Sequence, residues 1–136
     1  MYHPWQELRN RPDITLTWQQ LAPGRLAETD GHDIWMAPHP MQTWRRCTLA
    51  HELAHIDLGH TDGCSPAEET QASVLAARRL IPIESLADAL VWSPLPEIVA
   101  DQLWVDLDTL EVRLGHLHPA ERHYIRRRLA AREEGA

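Results

Sequence analysis

The chain has 136 residues, 43% of them hydrophobic, enough for a packed core that needs neither disulfides nor a structural metal. Its formal charge of -7 speaks against a protein that coats nucleic acid or an anionic membrane. Two cysteines, Cys47 and Cys64, are too few for a disulfide-built secreted domain, and the complete lack of lysine excludes Schiff-base and P-loop chemistry.

Residues 1–12 hold a short helical stretch from Trp5 to Arg9, ended by Pro12. Neither this N-terminus nor any later stretch approaches the ~18 apolar residues of a membrane span, and no apolar leader core is present. A cytoplasmic protein with reduced thiols and no membrane partner is therefore expected. From Asp13 the pattern alternates, with Ile14, Leu16 and Trp18 on one face, as in a half-buried strand. Ala22-Pro23-Gly24 marks a turn, Arg25 to Glu28 a second strand, Asp30-Gly31 a hairpin turn, and Ile34 with Met36 a third strand. Residues 13–37 thus predict a small three-stranded antiparallel sheet. Its exposed edge would suit an extended peptide, because a strand edge offers backbone hydrogen bonds whatever the peptide's sequence.

Residues 41–58 predict the central helix. Trp44, Cys47, Thr48, His51, His55 and Leu58 fall within about a 100° arc, while Leu49, Leu53 and Ile56 form a second apolar flank, so the helix is buried on more than one side. Within it, His51-Glu52-Leu53-Ala54-His55 fills the H-E-x-x-H pattern. Positions four apart share a helix face, so both imidazoles can reach one metal ion. A shared metal would also satisfy two ring nitrogens that a core would otherwise leave wanting. In the longer pattern H-E-x-x-H-x-x-G-x-x-H the third histidine falls where Thr61 stands, and Gly59 and His60 are each one place out of register. His60 is accordingly read as a histidine favoured by the helix C-terminal dipole rather than as a ligand.

The next helix, 66–81, opens with Ser65 as N-cap, Pro66 at the first position and Glu68 at the third, a capping box. That box accounts for Glu68 and leaves Glu69 without a local role, on a face shared with Ala72, Ser73, Ala76 and Leu80. His51, His55 and Glu69 give three ligands and leave a fourth position for water, the open coordination of a catalytic zinc. Glu52, turned about 60–100° from the histidines, is placed to take a proton from that water as it attacks a carbonyl carbon. Mn²⁺ or Fe²⁺ can also occupy a His/His/Glu site.

Arg46-Cys-Thr-Leu-Ala-His-Glu-Leu-Ala-His55, followed by Glu69-Thr-Gln-Ala72-Ser-Val-Leu-Ala76-Ala-Arg-Arg-Leu80-Ile-Pro82, resembles the ImmA/IrrE family of small metallopeptidases. The family pattern is a basic residue and T-L-A running into H-E-x-x-H, then E-x-x-A-N-x-F-A-x-x-L-L-M-P. On that resemblance His51 and His55 match the zinc histidines, Glu52 the catalytic glutamate and Glu69, thirteen residues before the proline, the zinc carboxylate. Departures stand at Cys47 for an aromatic, Ser73 for Asn or Asp, and Leu75 for Phe, none at a ligand position. The resemblance implies a zinc endopeptidase whose substrate is a helix-turn-helix repressor, often encoded beside it on a prophage or other mobile element, with cleavage switching on a stress or excision programme.

The tail, 83–133, is read as helical: Ile83 to Val91, Glu97 to Leu103, Leu107 to Leu114 with Asp106 as N-cap, and a last helix from Pro119 to about Arg132. The two helices flanking Trp104-Val105-Asp106 resemble a helix-turn-helix, but Asp101, Asp106, Asp108 and Glu111 surround them, and direct nucleic-acid binding is not expected. His116, His118, His123 and Tyr124 are candidates for the group that hydrogen-bonds the oxyanion, and the sequence does not choose among them. The expectation as a whole is a single α+β domain over 1–136, mainly helical, its sheet packed on the H-E-x-x-H helix. Its metal ligands would be His51, His55 and Glu69, with Glu52 as base. The rival functions are a non-cleaving regulator that docks on a repressor or antitoxin, a toxin of a toxin–antitoxin pair, and a DNA-binding regulator acting through the tail.

Overall fold

The computed structural model describes residues 1–61 and 63–135. It is mainly helical with one small sheet: α1 (Pro4–Arg9), β1 (Leu16–Trp18), β2 (Ala27–Thr29), β3 (Ile34–Met36), α2 (Gln42–Asp57), α3 (Pro66–Leu80), α4 (Ile83–Trp92), α5 (Pro96–Leu103), α6 (Leu107–Gly115) and α7 (Pro119–Glu134). The architecture is α+β, as expected. Proline opens α1, α3, α5 and α7, where its missing N–H is one the first turn would leave unpaired in any case. No helix among the described residues is long and apolar enough to cross a membrane.

The sheet corrects one expectation: it is mixed rather than antiparallel. Strand order is β1-β3-β2, with β2 antiparallel to β3 (Ala27 opposite Met36, Thr29 opposite Ile34) and β1 parallel to it (Leu16 with Ile34, Trp18 with Met36). Ile34 and Met36 are fully buried, and a strand so buried belongs in the centre with both edges paired. Asp30 holds the tight turn between β2 and β3, its Oδ1 accepting from the backbone N–H groups of His32 and Asp33 at 2.9 and 2.8 Å. With that edge taken, β1 adds to the other edge of β3. Residues 19–26 carry the chain across from one edge to the other, a path that a two-residue hairpin would not allow.

Helix α2 divides the core. On one flank Leu49 and Leu53 meet Ile14, Ile34 and Met36, with Trp5 and Leu8 of α1 closing the edge. On the other, Cys47, Ala50 and Ala54 join Ala72, Ala76 and Leu80 of α3, and Val99, Leu103 and Leu110 extend the same cluster. Burying one leucine contributes about 1.5–3 kcal/mol, so the two flanks together fix the rotation of α2 about its axis. Alanines on both sides of the α2–α3 contact permit close approach.

Polar ties fix the remaining angles. The guanidinium of Arg46, 6% exposed, donates to the carbonyl of Trp104 at 2.7 Å, where the chain turns left-handed (φ 57) between α5 and α6. Asp57 at the end of α2 accepts from Arg11 at 2.5 Å and forms an ion pair with Arg79 at 2.7 Å. Arg113 donates from Nε to the carbonyl of Ile81 at 2.8 Å and clasps Glu121 with both terminal nitrogens, joining α6, the end of α3 and α7.

Candidate metal centre

With Leu49 and Leu53 on the sheet and Ala50 and Ala54 on α3, the helical period turns the face carrying His51 and His55 into a cleft between the two layers. Their Nε2 atoms lie 3.0 Å apart, with the rings edge to face at 84°. Opposite them, α3 starts where the capping box sets it: the Ser65 hydroxyl accepts from the Glu68 N–H at 3.2 Å, and the Glu68 carboxylate accepts from the Ser65 N–H at 3.0 Å. Glu68 is thereby turned back on its own helix end. Glu69, one residue on, reaches across, its Oε2 3.0 Å from His51 Nε2 and its Oε1 3.2 Å from His55 Nε2.

Two imidazole nitrogens and a carboxylate thus converge on one point, and the set lies within 4.8 Å. Nitrogen and oxygen donors in this number suit a tetrahedral dication with one open position. Burial, then the charge of neighbouring His51, lowers the His55 pKa and favours the neutral ring a metal needs. For Glu69 burial alone would raise the pKa, but the hydrogen bond to His51 and the charges of both histidines outweigh it and leave the carboxyl lowered. Ser73, one turn beyond Glu69, places its hydroxyl 3.4 Å from His51 Nδ1, so the serine that departs from the family pattern still offers an acceptor there.

Glu52 is 6% exposed and lines the same cleft. Burial, then the negative charge of Glu69, pushes its carboxyl up to about 8. The positive charge of a dication beside it would act in the opposite direction and favour the basic form.

The cleft encloses about 550 Å3. Residues Gly24 to Thr29 form one wall, and β2 pairs with β3 on one side only, so its other edge is an open strand beside the histidines. Asp106, Asp108 and Thr109, from the start of α6, form part of the opposite wall. None of the four oxyanion candidates from the tail lines it. His116 is held by its own helix end, its ring nitrogen 3.0 Å from the carbonyl of Val112. His118 caps α7 with Glu121, Tyr124 accepts from Arg128 at 3.2 Å, and His123 is exposed.

His60 carries a role that its sequence position conceals. It is 6% exposed, with Nδ1 3.0 Å from His55 Nδ1 and Nε2 3.1 Å from Gln71 Oε1. Helix α2 ends in a Schellman turn: the His60 N–H donates to the His55 carbonyl at 2.9 Å and the Gly59 N–H to Ile56 at 3.1 Å, with Gly59 left-handed at φ 75. That turn returns the histidine to the ring five residues earlier. The signal was in the spacing H-x-x-x-G-H, readable only with the turn geometry in mind. Cys64 stands near by, its Sγ 3.6 Å from His55 Nδ1, and His55, His60 and Cys64 form a second group whose ligand atoms lie within 4.8 Å.

Searches of curated proteins and of solved structures returned no match. The family model of the IrrE N-terminal-like domain, peptidase M78, matches residues 13–93. That stretch is more than half of the chain and holds the sheet, α2 and α3, with His51, Glu52, His55 and Glu69. The chain belongs to the ImmA/IrrE (peptidase M78) family and carries a metallopeptidase-like domain.

Proposed function

We propose that the chain is a zinc-dependent endopeptidase that cleaves a protein substrate in the cytoplasm, with His51, His55 and Glu69 holding the ion. The observation that carries this reading is the convergence of two Nε2 atoms and one carboxylate within 3.0–3.2 Å of one another, with Glu52 buried in the same cleft. A zinc ion held there supplies Lewis acidity for a carbonyl and lowers the pKa of water. The chain's own groups do the rest. The open edge of β2 aligns an extended peptide by backbone hydrogen bonds. Glu52 takes the proton of the attacking water and returns it to the leaving amine, since the breaking C–N bond needs protonation. The surrounding walls limit water and hold the scissile bond near the ligands.

The substrate we propose is a helix-turn-helix repressor of a prophage, mobile element or stress regulon, in keeping with the family. A small helix-turn-helix protein encoded beside this gene is the first to try. Mixed with the zinc-loaded chain it should yield two fragments, and Glu52→Gln should leave it intact. An intact complex with the wild-type chain would favour the docking regulator, and undiminished cleavage by Glu52→Gln would remove Glu52 from the mechanism.

A further inference from the structure

The hydrogen bonds around His60 determine which nitrogen His55 leaves bare. A neutral imidazole has one N–H and one lone pair. Gln71 turns its amide oxygen to His60 Nε2 at 3.1 Å, and an amide oxygen only accepts, so the His60 proton sits on Nε2 and Nδ1 is bare. Nδ1 of His60 in turn faces Nδ1 of His55 at 3.0 Å, so His55 donates from Nδ1. The only N–H of His55 is then engaged, and its Nε2 presents a lone pair toward His51 Nε2 and Glu69 Oε1, at 3.0 and 3.2 Å. Electron pairs brought this close repel one another unless a proton or a metal cation lies among them.

We propose that His60 and Gln71 are a positioning pair that locks His55 in the tautomer whose Nε2 binds the metal. The proposal rests on the three-ligand site proposed above. The backbone supports it from two sides. The Schellman turn holds His60 to the His55 carbonyl at 2.9 Å. Behind it packs the turn between β2 and β3, where Gly31 has φ +95 and a Cβ would lie 2.9 Å from the His60 carbonyl oxygen, so only glycine lets the turn close on this residue. Partners of this kind orient a ligand histidine and raise its basicity.

Cys64 offers the competing use of the same atoms. A metal held by His55 Nδ1, His60 Nδ1 and Cys64 Sγ would need His55 Nδ1 bare, which the relay forbids. The geometry favours the relay: the sulfur is farther, at 3.6 Å, and its S–H donates to the carbonyl of Thr61 at 3.0 Å.

Zinc affinity by chelator competition, run on the full chain, tests the pair. Tight binding by the wild type that Glu69→Ala weakens establishes the three-ligand site, and its failure would sink that reading whatever His60 does. Given that result, His60→Leu should weaken zinc about 10–100-fold. His60→Asn, whose amide oxygen can accept from His55, should recover most of it, and the exposed substitution Gln71→Leu should cost several-fold. Equal losses in His60→Leu and His60→Asn, or none in Gln71→Leu, would overturn the proposal, and the last variant remains informative should the His60 variants fail to fold. Cobalt(II) in place of zinc should show no thiolate charge-transfer band, and a band that Cys64→Ser abolishes would overturn it in favour of the sulfur site.

Discussion

The Nε2 atoms of His51 and His55 face each other at 3.0 Å across one turn of α2, with a Glu69 oxygen at similar distance from each. A dication relieves that crowding in the folded state alone, so zinc should stabilise the fold. At free zinc about 100 times its Kd the gain is about 2.7 kcal/mol, enough to raise Tm by several degrees. Thermal unfolding with zinc and with excess chelator measures this. Glu69→Ala, which removes the proposed ligand on α3, should abolish most of the difference.

Glu52→Gln keeps the shape of the buried side chain and removes its capacity to carry a proton. Zinc should bind as before, because Glu52 lines the cleft without being one of the three groups that converge there. Turnover of a cleaved substrate should fall by about 10²–10⁴-fold, the usual worth of a positioned base. Loss of zinc together with activity would assign Glu52 to the ligand set instead.

Arg113 and Glu121 hold the tail by two short contacts, Nη1 to Oε1 at 3.0 Å and Nη2 to Oε2 at 2.6 Å. The hydrogen bonds from Arg113, opposed by partial burial and aided by the N–H of His118, take the Glu121 carboxyl from its ordinary 4.5 down to about 2. Above pH 4.5 the carboxylate is ionised both folded and unfolded, and the stabilisation is fully present. As pH falls from 4.5 toward 2 the unfolded chain takes up the proton first, so that stabilisation is lost. The loss is on the order of 2 kcal/mol, allowing for partial exposure. Urea midpoints at about pH 6 and about pH 3 should differ less in Glu121→Gln than in the wild type. Arg113→Ala, which vacates a site 3% exposed, should cost about 3–5 kcal/mol.

The parts of the fold that are legible in the sequence rest on local chemistry. Ser65 and Glu68 specify a helix start within four residues, and both halves of that capping box are made. The flank Leu49, Leu53 and Ile56 of α2 likewise follows from a period of 3.6 and packs on the sheet cluster, whereas of the apolar residues on the other predicted arc only Cys47 joins the second cluster, which α2 enters through Ala50 and Ala54. Strand order is different in kind. Alternation in a three-residue strand says which face is buried, not which neighbour it has or which way that neighbour runs, so the parallel pairing of β1 with β3 was not readable. What the ring of His60 touches was not readable for a related reason. Its ring contacts depend on how the chain turns after α2, and distance along the sequence hides a reversal made by one left-handed glycine.

Ala72 joins the stability of the α2–α3 contact to the position of Glu69. It is fully buried in the same cluster as Ala50 and Ala54, and lies three residues beyond Glu69 on the face that meets α2. Ala72→Leu adds volume where the helices meet on small side chains, and overpacking of this kind costs about 1–3 kcal/mol. Because α3 can relieve the clash only by moving away from α2, the Glu69 carboxylate should withdraw from the histidines. Zinc affinity should therefore fall even in molecules that remain folded, as judged by circular dichroism below the unfolding transition. Ala67→Leu, an exposed position on the first turn of the same helix, adds the same volume without meeting α2 and should change neither quantity. Equal zinc affinity in the two leucine variants would mean that the reach of Glu69 tolerates a displaced helix.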